Sequence, residues 1–289
     1  MRILSAEPIN FVLTNWIPRR TLTRFMAWFS RIEQPAIRDL SMRVWQFFGG
    51  DLNLHEAKKT TFASVHDCFI RELRKGARLI DPTPGILISP CDAIVGACGV
   101  VEEKQLVQAK GSSYSLDHLV LDPALAERYR NGRYVTLRLT STMYHRFHAP
   151  ANCEVGEVRY VAGDTWNVNQ ATLKRVRNVY CRNERAVITA RLLDSPQSVT
   201  LVAIAAILVG GIHLTVADAT FNLTYAGPQR IVCRHRLRRG QEMGYFNHGS
   251  TVVVLASSGF ELCEAICPGH RIHLGEPLLR SHGTQPDGA

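Results

Sequence analysis

The eight cysteines (Cys68, Cys91, Cys98, Cys153, Cys181, Cys233, Cys263 and Cys267) include no Cys-x-x-Cys pair. Their scatter argues against a zinc site or a disulfide framework. It favours small buried hydrophobes in a reducing compartment. The chain also lacks a continuous run of the ~20 apolar residues that a membrane-spanning helix needs. Its most apolar stretch, "VTLVAIAAILVGGIHLTV" at 199–216, contains a Gly-Gly pair and His213 and is rich in Val and Ile. That composition predicts two buried strands about a glycine bend. The opening "MRILSAEPINFVLTNW" has no unbroken apolar core and no small-residue cleavage site, so it does not read as a secretory signal. There is no internal repeat and no low-complexity tract.

Acidic residues are in the minority. The 25 Asp and Glu face 34 Lys and Arg, a formal charge of +9 over 289 residues. The excess favours an anionic partner: nucleic acid, an acidic membrane face or an acidic substrate. Apolar residues make up 46% of the chain, enough for a sizeable core.

The first part reads as helical. Leu22, Phe25, Met26, Phe29 and Ile32 fall at helical spacing, with Arg20, Arg24 and Arg31 on the opposite side. Such a basic amphipathic helix either lies in the headgroup region of an anionic membrane or packs on the core as a surface helix. Pro35 can open a second helix, with Ile37, Leu40, Val44 and Phe47 or Phe48 as its stripe and Gly49-Gly50 as its stop. "HEAKKTTFASVHDCFIRELRKG" predicts a third helix or a helix pair that ends near Gly76.

Beyond "LIDPTPG" the texture changes to short β-branched runs between turns, among them "DAIVGACGVV", "YVTLRLT", "AVITARLL" and "STVVVLASSGF". One helix is expected at "DPALAERYR". The fold class is therefore α+β, a helical region at 1–76 followed by a β-rich region at 77–289. The tail "RSHGTQPDGA" reads as loose.

Four stretches hold candidate chemistry. In "SPCDAIVGACG", Asp92 follows a Ser-Pro turn at the mouth of a strand, where it can simply accept backbone hydrogen bonds. In "MYHRFHAP", His145 and His148 precede Pro150, which disfavours a helix and puts them on an irregular segment. Further metal ligands are not evident, so acid–base work is preferred to metal binding. A hydrogen-bonded structural pair is the plainer alternative. "KGSSYSLDHLV" is a polar loop with a lone glycine, weak grounds for phosphate binding. "GQEMGYFNHGST" sets Gly249 and Ser250 ahead of an apolar strand, either as a turn or as the seat of a reactive serine.

Taken in order and spacing, "SPCDAIV", "AKGSSYSL", "YHRFHAP", "RNERAV", "GQEMGYF", "HGST" and "IHLGEPL" resemble the phosphatidylserine decarboxylases. The resemblance runs from the third predicted helix to Leu278. It implies membrane-contacting helices on a β-rich catalytic body and a proenzyme that cuts itself between Gly249 and Ser250. The products would be a β chain of 1–249 and an α chain of 250–289. Ser250 would become a covalent pyruvoyl group, with no external cofactor and no metal. By the same resemblance Asp92 orients His148, His148 activates Ser250, and His145 serves substrate binding or proton delivery. The implied reaction is decarboxylation of phosphatidylserine to phosphatidylethanolamine. The implied partners are an anionic phospholipid membrane and the two chains of one precursor. A homodimer is allowed, and nucleic acid is not expected. The implied location is peripheral, on the cytoplasmic face of the cell membrane.

The chain departs from the family's pattern at His248, where leucine is usual, and at Cys91 and Ala93 beside the aspartate. His248 leaves open a change in cleavage rate, in its pH dependence or in the amine substrate. Two further readings therefore stand: a pyruvoyl enzyme for another amino-acid head group, and an unprocessed, non-catalytic membrane-binding homologue.

Overall fold

A computed structural model of the chain describes residues 18–109, 112–207, 211–247 and 250–282. His248, Gly249, Lys110, Gly111, Gly210, the opening segment and the end of the tail lie outside the described residues. The helices are α1 (Arg19–Phe29), α2 (Pro35–Gly49), α3 (Val65–Phe69), α4 (Leu116–Val120), α5 (Pro123–Arg128), α6 (Gln170–Arg175) and α7 (Val179–Arg182). The helix expected at "DPALAERYR" is α5, with the Asp122 carboxylate accepting from the Leu125 N–H at 3.0 Å as its N-terminal cap.

Helix α2 opens on Pro35, and the Gln34 side chain accepts from Ile37 N–H at 3.1 Å. It ends at Gly50, whose φ of +92° only glycine adopts readily. Its apolar stripe is not buried: Leu40, Phe47 and Phe48 are 64%, 74% and 71% exposed, and Trp28 on α1 is 63% exposed. The third predicted helix is largely absent. Only a 3₁₀ turn at Leu54–Glu56 and the short α3 form, and an isolated bridge joins Ala57 to Leu73. Tertiary bonds replace helical ones here. The buried Arg71 guanidinium donates to Leu52 O (2.9 Å), Cys68 O (3.2 Å) and Thr142 O (3.1 Å).

The strands are β1 (Ile86–Ile88), β2 (Ala93–Val100), β3 (Gln105–Ala109), β4 (Ser112–Ser115), β5 (Arg133–Leu139), β6 (Arg146–His148), β7 (Cys153–Val161), β8 (Arg185–Leu192), β9 (Ser198–Ala205), β10 (Ile212–Leu214), β11 (Ala219–Phe221), β12 (Arg230–Leu237), β13 (Glu242–Phe246), β14 (Ser250–Ala256), β15 (Phe260–Leu262), β16 (Arg271–Ile272) and β17 (Pro277–Ser281). The main sheet has eight strands in the order β12-β7-β8-β9-β14-β5-β2-β16, all pairs antiparallel. A second sheet of four strands runs β11-β10-β13-β6. The two strands expected in 199–216 are β9 and β10.

Strand β14 lies inside the main sheet, and all seven of its residues are buried. Burying each of its valines and its leucine contributes about 1.5–3 kcal/mol. The chain changes sheets where β13 ends and β14 begins. Phe246 belongs to the four-stranded sheet and Ser250 to the eight-stranded one. Within the four-stranded sheet Gly244 allows β13 to lie close against β10, since a Cβ there would come within 2.2 Å of His213 O. Helix α1 is fastened to the body by Arg19, which pairs with Asp164 at 2.6 Å and stacks 3.7 Å above the Trp166 ring. Gly244→Ala is expected to destabilise the protein by about 1–3 kcal/mol through this backbone clash, read as a lower urea midpoint.

Candidate active site

Ser250 is the first residue of β14 and is fully buried. Its backbone lies between Leu139 of β5 and Ala205 of β9. Its Oγ has no hydrogen-bond partner among the described residues. The residue lines an apolar cavity of about 720 Å³. The walls come from Met26 and Phe29 of α1, Leu40, Val44 and Trp45 of α2, Val65 and Phe69 of α3, and Leu139.

His145 sits just ahead of β6 and is fully buried. A carbonyl only accepts, so its Nδ1 donates to Met143 O at 2.8 Å. Its ring lies 3.9 Å from that of Phe69, which lines the Ser250 cavity. The Phe246 N–H donates to His145 O at 3.0 Å, tying this turn to the end of β13.

His148 was expected on an irregular segment but belongs to β6. The strand forms because β13 pairs with it, Tyr245 opposite Arg146 and Glu242 opposite His148. His148 Nδ1 donates to Gly240 O at 2.9 Å, which leaves Nε2 of the neutral ring to accept from the Tyr144 hydroxyl at 3.0 Å. Burial holds its pKa below the usual imidazole value, and the bond to Gly240 opposes that only in part. The ring is thus kept neutral, with its basic nitrogen facing Tyr144.

Asp92 precedes β2 and is buried. Its Oδ1 accepts from Leu274 N–H (2.9 Å) and from Arg78 Nε (2.9 Å), and its Oδ2 accepts from Arg78 Nη2 (2.6 Å). Arg78 is shared with Glu56 through bonds of 2.9 and 2.7 Å. The pairing with Arg78 holds the Glu56 carboxyl below its usual pKa. Glu56, Arg78, Asp92 and Tyr144 line a second, polar cavity of about 260 Å³.

The sequence-predicted residues therefore divide. Ser250 faces the apolar cavity, with His145 behind its Phe69 wall. Asp92 faces the polar cavity, with His148 behind Tyr144. Thr140 and Ser141 line the first space, and Thr142, Met143 and Tyr144 line the second, so the segment 140–144 separates them. His148 is bonded to Gly240 and Tyr144, and no hydrogen bond joins it to Asp92 or Ser250 among the described residues. A backbone bond, His148 N–H to Pro90 O at 2.8 Å, keeps β6 beside the Asp92 turn. Sequence reasoning missed Tyr144, Arg78, Glu56 and Phe69. Tyr144 stands inside "MYHRFHAP" and had a signal; Arg78 and Glu56 carried none.

A family model described as phosphatidylserine decarboxylase matches residues 65–280. The chain belongs to the phosphatidylserine decarboxylase family. The match spans α3 and most of the β-rich body, both cavities' polar residues from Arg71 onward, and every predicted site residue. Phosphatidylserine decarboxylase relatives agree over more of the chain. The phosphatidylserine decarboxylase proenzyme of Vibrio cholerae is 33% identical over 286 residues, covering 94% of this chain and 98% of that protein. The proenzyme of the same name from Anaeromyxobacter sp. is 35% identical over 270 residues, covering 91% of this chain and 94% of its own. That from Acinetobacter baumannii is 32% identical over 247 residues, with 83% and 84% covered.

The depressed pKa of His148 links stability to pH. A neutral buried imidazole favours folding above the ordinary value of 6.5, and that contribution is lost as pH falls through the lower folded value. Between about pH 7.5 and about pH 5 the wild type is expected to lose more urea stability than His148→Gln. Equal losses would show that His148 does not carry the linkage.

Proposed function

We propose that the chain is a proenzyme that cleaves its own Gly249–Ser250 bond, converts Ser250 to a pyruvoyl group and decarboxylates phosphatidylserine. The observation that carries this reading is the Ser250 hydroxyl, buried at an apolar cavity with no hydrogen-bond partner among the described residues. An unsatisfied buried hydroxyl costs about 1–3 kcal/mol, so its retention asks for a reason. Conversion to a pyruvoyl group removes the unsatisfied O–H and leaves a ketone oxygen that only accepts, in a cavity whose lining includes the donor-bearing Arg138, Thr140 and Ser141.

In the first step Ser250 Oγ attacks the Gly249 carbonyl. The new O–C bond forms as the peptide C–N bond breaks, and the hydroxyl proton passes by way of a base to the departing amine. His148 supplies that base through Nε2, which requires the Tyr144 hydroxyl to yield its place on this nitrogen. Elimination of the Gly249 carboxylate and hydrolytic loss of ammonia then leave a carbonyl at position 250. The chains produced are 1–249 and 250–289. The pyruvoyl group supplies an electron sink for the electrons released when carbon dioxide leaves. His145, held by Met143 O and packed on Phe69, binds the substrate carboxylate or returns the proton.

The apolar cavity suits lipid chains, and α1 and α2 supply part of its walls. Phe25, Trp28, Phe47 and Phe48 are exposed on these two helices, and α1 carries no acidic residue. No described helix is long and apolar enough to cross a membrane. These features support peripheral attachment to an anionic bilayer, with 1–76 as the membrane-contacting region and 77–289 as the catalytic one; the cytoplasmic face is taken from the family resemblance alone.

Intact mass tests the reading. Wild type should resolve into two chains and Ser250→Ala into one. A wild type that stays a single chain overturns self-processing. The processed protein should release phosphatidylethanolamine from phosphatidylserine vesicles; processing without that release would point to another amino-acid head group. His248→Leu, timed across pH, should cleave at a different rate from wild type if His248 tunes the step, and unchanged rates would assign it no part.

A further inference from the structure

Arg78 lies between two carboxylates and belongs to neither reacting group. Its side chain is 11% exposed and that of Asp92 is 6% exposed. On one side Nε and Nη2 grip Asp92 at 2.9 and 2.6 Å. On the other, Nη1 and Nη2 grip Glu56 at 2.9 and 2.7 Å. Nη1 also donates to Ala77 O at 2.7 Å. A planar fork held from both sides cannot rotate, so neither can the carboxylate it holds. Glu56 is fixed in turn by the 3₁₀ turn that carries it and by the bond from Arg74 N–H to Glu56 O at 2.8 Å. The last contact to Asp92, from Leu274 N–H, comes from the 250–289 segment. Two carboxylates around one guanidinium, Asp92 buried and Glu56 24% exposed, would leave an excess negative charge. The buried Arg71 guanidinium, which lines the same cavity and bonds only to carbonyls, offsets it.

We propose that Arg78 is a positioning residue that aims Asp92 for self-cleavage, and that Glu56 aims Arg78. The inference rests on the reading that Asp92 serves the cut at Gly249–Ser250. The order of bonds then runs from the turn at Glu56, through Arg78, to the Asp92 turn. That turn is joined to β6 and His148 by the Pro90–His148 backbone bond. Lysine at position 78 would bring the charge without the fork and should hold Asp92 less well.

The full chain is synthesised in a cell-free pulse, and the appearance of two chains is timed by mass. Arg78→Ala is expected to slow cleavage by up to about a hundredfold, the scale of a small misplacement of a functional group. Arg78→Lys and added guanidinium ion should each restore part of the rate, and Glu56→Gln should slow it less than Arg78→Ala does. The double variant Arg78→Ala/Asp92→Asn should cleave no more slowly than Asp92→Asn alone. Circular dichroism melts identify any variant that fails to fold, and guanidinium rescue is a readout that lost folding alone would not give. Wild-type rates in Arg78→Ala would overturn the inference. So would a slow Arg78→Ala that guanidinium does not help and that adds to Asp92→Asn. If wild type cleaves and Asp92→Asn cleaves equally fast, this inference fails while self-processing stands. If wild type never cleaves, the proposed function fails first.

Discussion

The pairing of β14 on both edges is the constraint on which the rest depends. Ser250 begins a strand hydrogen-bonded to β5 and to β9, and every residue of that strand is buried. A backbone held on two sides cannot relax its first side chain toward water. The hydroxyl is therefore fixed at the apolar cavity whether or not a partner is there to receive it. The same pairing places the change of sheets directly before Ser250. A short connection must leave the four-stranded sheet after Phe246 and enter the eight-stranded one at Ser250.

Around that fixed point the polar groups are sorted by the segment 140–144. On one side lie carbon walls from three helices. On the other lie charged groups that satisfy one another: Arg78 with Glu56 and Asp92, and Arg71 with three carbonyls. Burial of such charges is tolerable only when they are compensated: Arg78 has two carboxylates, while Arg71 has three carbonyls and an Nε with no hydrogen-bond partner among the described residues. The arrangement keeps these carboxylates away from the apolar cavity, whose lining includes Arg138 as its charged residue. It also keeps His148 neutral, because the ring is buried behind Tyr144 and bonded to a carbonyl rather than to a carboxylate.

Where sequence reasoning worked, local physics was in charge. Pro35 and Gly50 bounded α2, Asp122 capped α5, and the runs of Val and Ile at 199–205 and 250–256 became interior strands. Where it failed, distant groups decided. The segment after Phe69 has helical periodicity, yet Arg71 draws it inward to carbonyls from Leu52 and Thr142. His148 is in a strand because residues from 242 onward pair with it. The apolar stripe of α2 is real as a pattern, but nothing in a periodicity says whether such a stripe meets the core or lies open, as Phe47 and Phe48 do.

The sequence by itself determined the family resemblance, the α+β order of elements and the candidates Asp92, His145, His148 and Ser250, because these follow from short motifs and from hydrophobic spacing. Only the tertiary structure decided which of them share a space. It set Ser250 with apolar walls, set Asp92 with Arg78 and Glu56, and gave His148 to Gly240 and Tyr144. The reason is that hydrogen bonds and ion pairs join residues far apart in the chain, and no local pattern records which distant partner will be within reach.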